Sequence, residues 1–82
     1  MKGTVAAINP RNGMVAILTE EGSFSLIDPI GGEFELRDHV SWSAHNPLGG
    51  DRVLNVTRGE WLDVFFENHY VTQHNLARLM GL

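Results

Sequence analysis

The sequence predicts a mainly β fold: a small five-stranded barrel, then a sixth short strand and a short C-terminal helix. Short runs of alternating or β-branched residues recur at nearly even spacing, and clusters of glycine, proline and asparagine separate them. The last part of the chain then changes to helical spacing. A closed barrel is expected rather than an open sheet, because closure removes exposed strand edges.

Length and composition fit one small domain with its own core. The chain has 82 residues, of which 43% are hydrophobic, and a net charge of −4. It contains no cysteine, which excludes disulfides, a zinc knuckle and a thiol nucleophile. The N-terminus shows no signal core, and no segment approaches the about 18 consecutive apolar residues of a membrane span. We therefore expect a soluble cytoplasmic protein that does not bind membranes.

The first half of the chain predicts two hairpins. Pro10–Gly13 and Glu21-Gly22 have the residues of tight turns, since Asn-Gly tolerates positive φ and proline fixes it. In the third strand, Phe24 and Leu26 are predicted to face the core and Ser25 the opposite side. The three predicted strands are Lys2–Asn9, Met14–Thr19 and Ser23–Asp28.

The second half predicts three more strands and the helix. Thr72 is a candidate N-cap and Gly81 a candidate left-handed residue after the helix. We expect one domain over residues 1–82, with the barrel in about 1–59 and the added strand and helix in about 60–82. The predicted elements are strands at Val40–His45, Arg52–Arg58 and Trp61–Asn68 and a helix at Gln73–Met80.

Three pieces of the chain together resemble one known family. They are Met1-Lys2-Gly3-Thr4-Val5 with Asn9 and Gly13, then Glu21-Gly22, then Asp38–Trp42 with Asn55–Arg58. Their order and spacing resemble the cold-shock type of OB-fold nucleic-acid-binding proteins. The resemblance implies a five-stranded Greek-key barrel that binds single-stranded RNA or DNA by stacking bases on aromatic rings of strands two and three.

The positions that would carry those rings are not aromatic in this chain. Aligned on the family, they hold Ala7, Met14, Ala16, Ser25 and Ile27. Stacking contributes about 1–3 kcal/mol per base, so this binding mode is not expected here. The sequence therefore predicts a non-catalytic OB-fold module that binds single-stranded nucleic acid weakly, through basic and polar residues rather than by stacking. The candidates are Lys2, Arg11, Asn12, Met14, Phe34 and Arg58.

An interaction with another protein is the alternative function. Trp61, Phe65 and Tyr70 lie in the most aromatic stretch, and aromatic residues are enriched at protein interfaces. An apolar barrel face around Ala7, Met14, Ala16 and Ile27 is a second candidate surface. The aromatic residues of this stretch, Trp61, Phe65 and Tyr70, are also explained if the segment only completes the core of a small barrel.

No catalytic or metal-binding pattern is visible in the sequence. The four histidines, His39, His45, His69 and His74, lack the i, i+4 spacing of a zinc site and are expected at surface or turn positions. The serines of the strands, Ser25 among them, lack a Gly-x-Ser-x-Gly turn and are expected on strand surfaces. We therefore predict a protein that is not an enzyme and that binds no metal or cofactor.

Overall fold

The computed structural model of the chain describes residues 1–43 and 46–82, in which six antiparallel strands form a closed barrel beside one short helix. The predicted fold class, a mainly β barrel with a C-terminal helix, is confirmed. Those two ranges contain no helix long and apolar enough to cross a membrane. The elements are β1 Lys2–Ile8, β2 Val15–Thr19, β3 Phe24–Pro29, β4 His39–Ser41, β5 Gly49–Asn55, β6 Glu60–Val71 and α1 Gln73–Met80.

The barrel consists of two three-stranded meanders joined along both edges. Its strand order is β1-β2-β3-β6-β5-β4, with β4 paired to β1 at the closure. The sequence predicts the barrel in about residues 1–59 and the sixth strand as a short addition. In the structure β6 has 12 residues and lies between β3 and β5. Without β6 the edges of β3 and β5 would be unpaired, so this strand belongs to the barrel wall.

Several strands begin or end at other residues than predicted, because hydrogen bonds within the turns determine where strand pairing stops. β4 ends at Ser41 rather than at His45, and residues 44 and 45 lie outside the described part of the chain. β5 begins at Gly49, inside the predicted turn, and ends at Asn55. There the Asn55 carbonyl accepts the Gly59 amide at 2.8 Å, which starts the turn into β6.

The helix has the predicted bounds, but its two ends are built differently. Gly81 follows it in the left-handed region with φ 77°, as expected for glycine at this position. Thr72 precedes it, yet its hydroxyl caps no helical amide and instead accepts a bond from Asn75 Nδ2 at 3.2 Å. Two asparagines of the β1–β2 turn hold the C-terminal end, since Asn9 and Asn12 donate to the Met80 carbonyl at 2.8 and 3.1 Å.

Two hydrophobic clusters stabilise the molecule, one inside the barrel and one outside it. The outer cluster lies between α1 and the outer face of β2 and β3. Alternating residues of β2 and β3 therefore enter different clusters, so both faces of these strands contribute to buried clusters. The inner cluster includes Val5, Val15, Ile17, Ile27, Val53, Val64 and Phe66. The outer cluster consists of Ala16, Phe24, Leu26, Val71 and Met80.

The alternation predicted for β3 is right, but its inner and outer sides are exchanged. Ala16 pairs with Leu26, and Ile17 pairs with Ser25. Paired residues share a face, so Leu26 and Phe24 are outside the barrel under α1, whereas Ser25 and Ile27 face its interior. The prediction that Ser25 and Ile27 lie on the outer face is therefore wrong.

Removing the side chain by which α1 is anchored should destabilise the protein. Met80 is fully buried in the outer cluster. We expect Met80→Ala to lower the free energy of unfolding by about 2–5 kcal/mol, because a buried methionine leaves a cavity. Urea denaturation measures the change. The control, Leu82→Ala, alters a side chain that is exposed, and we expect a change within about 0.5 kcal/mol. Equal stabilities for the two variants would contradict the packing of α1.

Candidate functional site

Part of the outer face of β2 and β3 is covered by α1 in this structure. Ala16 and Leu26 are fully buried there, and Leu76 and Leu79 of α1 pack against the same cluster. One predicted partner surface, the apolar face around Ala7, Met14, Ala16 and Ile27, is therefore wrong as an exposed patch. Ala16 lies under the helix and Ile27 lies inside the barrel, while Ala7 and Met14 are half-buried against the outer cluster.

Three of the predicted nucleic-acid-binding residues meet at one end of the barrel. Asn12, Met14 and Phe34 line an open cleft of about 720 Å³ between the β1–β2 turn and the β3–β4 crossover. Phe34 belongs to the inner cluster, and only a small part of its ring is accessible. Phe34 thus supports the barrel core from the crossover and offers little ring surface for stacking.

The charges at this cleft are unfavourable for a phosphate. Asp28 and Glu33 are among the residues that line it. The nearby cation, Arg58, already donates to the Glu33 carbonyl at 3.3 Å and lies 3.9 Å from the Glu60 carboxylate. Carboxylates repel the phosphates that dominate nucleic-acid affinity, so the cleft favours neutral or cationic groups.

The other two predicted cations, Lys2 and Arg11, are far from each other. Lys2 begins β1, and Arg11 follows the other end of that strand in the β1–β2 turn. A strand of this length separates the two ends by about 20 Å. The Lys2 backbone amide is bound to Glu20 Oε1 at 3.0 Å, which places a carboxylate beside Lys2. The six predicted residues therefore do not form one continuous basic surface.

The predicted aromatic residues of β6 are exposed. Trp61 is 58% accessible, Phe65 38% and Tyr70 66%. Strand alternation explains the first two, because Leu62, Val64 and Phe66 face the interior and every second side chain faces out. We define the β6 face as the outward residues Trp61, Asp63, Phe65 and Glu67.

Neighbouring strands complete the β6 face. On β5, Leu54 pairs with Trp61, Arg52 with Asp63, and Gly50 with Phe65. On β3, Asp28 pairs with Phe65. The face thus combines two exposed aromatic rings with a mainly acidic surround.

One cation already occupies part of this face. The Arg52 guanidinium lies 5.4 Å from the centre of the Trp61 ring, a cation–π geometry. Its Nε is 3.6 Å from the Asp63 carboxylate. Both charged side chains of this ion pair are more than half exposed, so the pair itself contributes little to stability.

Tyr70 is separated from the β6 face by irregular backbone. The pairing of β3 with β6 shifts register twice between Phe24 and Ile27, and Tyr70 has a left-handed φ of 57°. This conformation is uncommon for a residue other than glycine. It turns Tyr70 outward, where its hydroxyl accepts a bond from Asn46 Nδ2 at 3.0 Å. Tyr70 therefore lies beyond the end of the β6 face.

The same irregularity directs His69 toward the barrel, where it joins β3 to the segment before β5. Ser25 Oγ lies 2.7 Å from His69 Nδ1, and the Pro47 carbonyl lies 2.5 Å from Nε2. The imidazole also stacks on Phe66, with ring centres 5.0 Å apart. The expectation that Ser25 lies on the strand surface is wrong, and His69 is half-buried within β6. A register shift brings them together, and the local alternation of the sequence does not show it.

The Ser25–His69 pair does not form an accessible nucleophile. Ser25 is 1% exposed, so a substrate cannot reach its hydroxyl. The imidazole is oriented by a backbone carbonyl rather than by a carboxylate. Elsewhere His39 and His74 are exposed, while His45 lies outside the described residues. Within residues 1–43 and 46–82, no group of three or more His, Asp or Glu side chains could hold a metal ion.

The bonds of His69 predict one tautomer of its neutral ring. The Pro47 carbonyl can only accept, so Nε2 must carry the proton while Nδ1 accepts from the Ser25 hydroxyl. Long-range ¹H–¹⁵N correlation spectra should show the Nε2–H tautomer for His69, with exposed His74 as the reference for an unconstrained ring. A neutral His69 with its proton on Nδ1 would contradict this arrangement.

Comparison with known proteins adds no family to these observations. No protein-family model matches the sequence, and searches of curated proteins and of solved structures find no match either. The function is therefore inferred from the residues of this chain and from the surfaces that its barrel exposes.

Proposed function

We propose that this chain is a non-catalytic, OB-fold-like barrel module that binds another protein through the β6 face. The observation that carries the proposal is the exposure of Trp61 and Phe65 on one side of a regular strand. Neither ring belongs to the inner or the outer cluster. Their exposure therefore has no role in the packing of this barrel.

The chemistry of the β6 face favours a protein as the partner. Exposed tryptophan and phenylalanine present large apolar areas with little side-chain entropy to lose, and such residues dominate the affinity of many interfaces. Half-buried Leu54 extends the apolar area beside Trp61. The acidic residues around the rings form the polar rim that is typical of an interface that must also be soluble.

Binding of single-stranded nucleic acid is the function that the sequence predicts first. It would use Lys2, Arg11, Asn12, Met14, Phe34 and Arg58. Two observations favour the protein partner instead. The helix α1 lies on the outer face of β2 and β3, and carboxylates line both the cleft and the β6 face. Titration with mixed oligonucleotides at low salt measures this alternative directly.

Replacement of Trp61 should abolish partner binding without unfolding the barrel. We expect Trp61→Ser to reduce recovery of a crosslinked protein partner at least about tenfold, as for a central interface residue. The control is Leu36→Ser in the β3–β4 crossover, because Leu36 is 59% exposed and Trp61 58%. Quantitative co-purification from the native lysate measures recovery, and circular dichroism verifies folding.

Two results would contradict the proposed function. One is a complex that both variants retain to the same degree. The other is oligonucleotide binding that Trp61→Ser leaves unchanged while Arg11→Ala with Arg58→Ala abolishes it, which would establish the basic residues as the binding site.

A further inference from the structure

We propose that the partner presents a basic, extended segment, and that one of its arginine or lysine side chains docks over the ring of Phe65. This inference rests on the proposed function, because it identifies the chemistry of the partner that the β6 face binds. It also assigns separate roles to the two exposed rings of β6: Phe65 receives the cation, and Trp61 contacts an apolar side chain of the partner.

Phe65 has acidic residues at three neighbouring positions of the sheet and a glycine at the fourth. Asp28 pairs with it across β3, and Asp63 and Glu67 flank it on the same face of β6. Directly paired residues have Cβ atoms about 5 Å apart, and residues two apart on a strand about 7 Å, so these carboxylates can reach a group above the ring. On the β5 side stands Gly50, where an added Cβ would meet nothing within 4 Å.

The barrel already contains one example of the interaction that we infer. Over Trp61 the Arg52 guanidinium takes a cation–π position, and the Asp63 carboxylate lies beside that cation. Among the described residues no cation takes the equivalent place over Phe65, and no salt bridge reaches Asp28 or Glu67. The ring and its carboxylates can therefore receive a cation from another chain.

The charge around Phe65 excludes other occupants. A phosphate or an acidic peptide would be repelled by Asp28, Asp63 and Glu67, since one guanidinium, that of Arg52, stands against three carboxylates. A purely apolar segment would bury these carboxylates without partners, which is costly. A cation that stacks on the ring and bonds to a carboxylate satisfies both parts of the site.

The spacing of the two rings indicates an extended segment. Trp61 and Phe65 are four residues apart on one face of a strand, about 13 Å. A partner strand has the same rise per residue, so a cation over Phe65 places an apolar side chain four residues away near Trp61 and Leu54.

The test uses designed peptides with the intact protein. The probe is a twelve-residue peptide with one leucine and one arginine four positions apart in a glycine, serine and threonine background. Matched peptides carry citrulline or glutamate in place of the arginine. We expect the arginine peptide to shift the amide resonances of Gly50, Asp28 and Phe65 at low salt. Citrulline should weaken binding at least about fivefold, because it keeps the shape of the side chain and removes its charge.

Variants of the protein separate the ring from the carboxylates. Phe65→Leu keeps an apolar side chain but removes the aromatic ring, whereas Phe65→Tyr keeps the ring. We expect the first to weaken arginine-peptide binding and the second to retain it. Asp28→Asn together with Glu67→Gln should weaken binding and reduce its salt dependence. The control is Glu21→Gln, an exposed carboxylate of the β2–β3 turn, which should change nothing.

The outcomes distinguish this inference from the proposed function. Equal binding of the arginine and citrulline peptides, or tighter binding of the glutamate peptide or of a thymidine decamer, would overturn the basic partner. A native protein complex that requires Trp61 but survives Asp28→Asn with Glu67→Gln would also overturn it, and the proposed function would stand. If no protein complex depends on Trp61, both the basic partner and the proposed function are contradicted.

Discussion

The rest of this structure depends on one constraint: β2 and β3 are apolar on both faces. Val15, Ile17 and Ile27 fill the barrel, while Ala16 and Leu26 lie on the outside of the same strands. A barrel alone buries one face of each strand, so the outer face needs a second cover. The short helix α1 supplies it, and such a helix gains its stability from docking rather than from its own length. The apolar face is therefore used for folding.

This constraint decides which surface remains for a partner. Because α1 covers β2 and β3, the regular sheet surface that exposes aromatic rings lies on β6, between β3 and β5. The register shifts near Tyr70 separate two uses of β6. Before them Leu62, Val64 and Phe66 enter the inner cluster and Trp61 and Phe65 face solvent. After them Val71 enters the outer cluster and leads the chain into α1.

Local patterns in the sequence predict the elements well and their long-range pairing poorly. The helix bounds and Gly81 follow from local spacing and backbone preference, and the turns around Gly13 and Gly22 likewise. The place of β6 between β3 and β5 depends on which distant edges meet, and alternation carries no information on that. The prediction for Ser25 is on the wrong side because alternation distinguishes the two faces of a strand but does not indicate which of them is the inner one.

The exposed rings of β6 are predictable from alternation, but the position of Asp28 beside Phe65 depends on the pairing of β3 with β6. The resemblance to cold-shock barrels and the nucleic-acid hypothesis stay predictions.

One outer face of the barrel is covered by α1, and another is open at Trp61 and Phe65. Paramagnetic relaxation by a soluble, uncharged gadolinium chelate measures the accessibility of each side chain in solution. We expect strong broadening of the Trp61 indole and Phe65 ring resonances, and protection of the Ala16, Leu26 and Met80 methyl resonances. Broadening of those methyl groups together with protection of Trp61 and Phe65 would contradict this arrangement, because the barrel would then expose the opposite face.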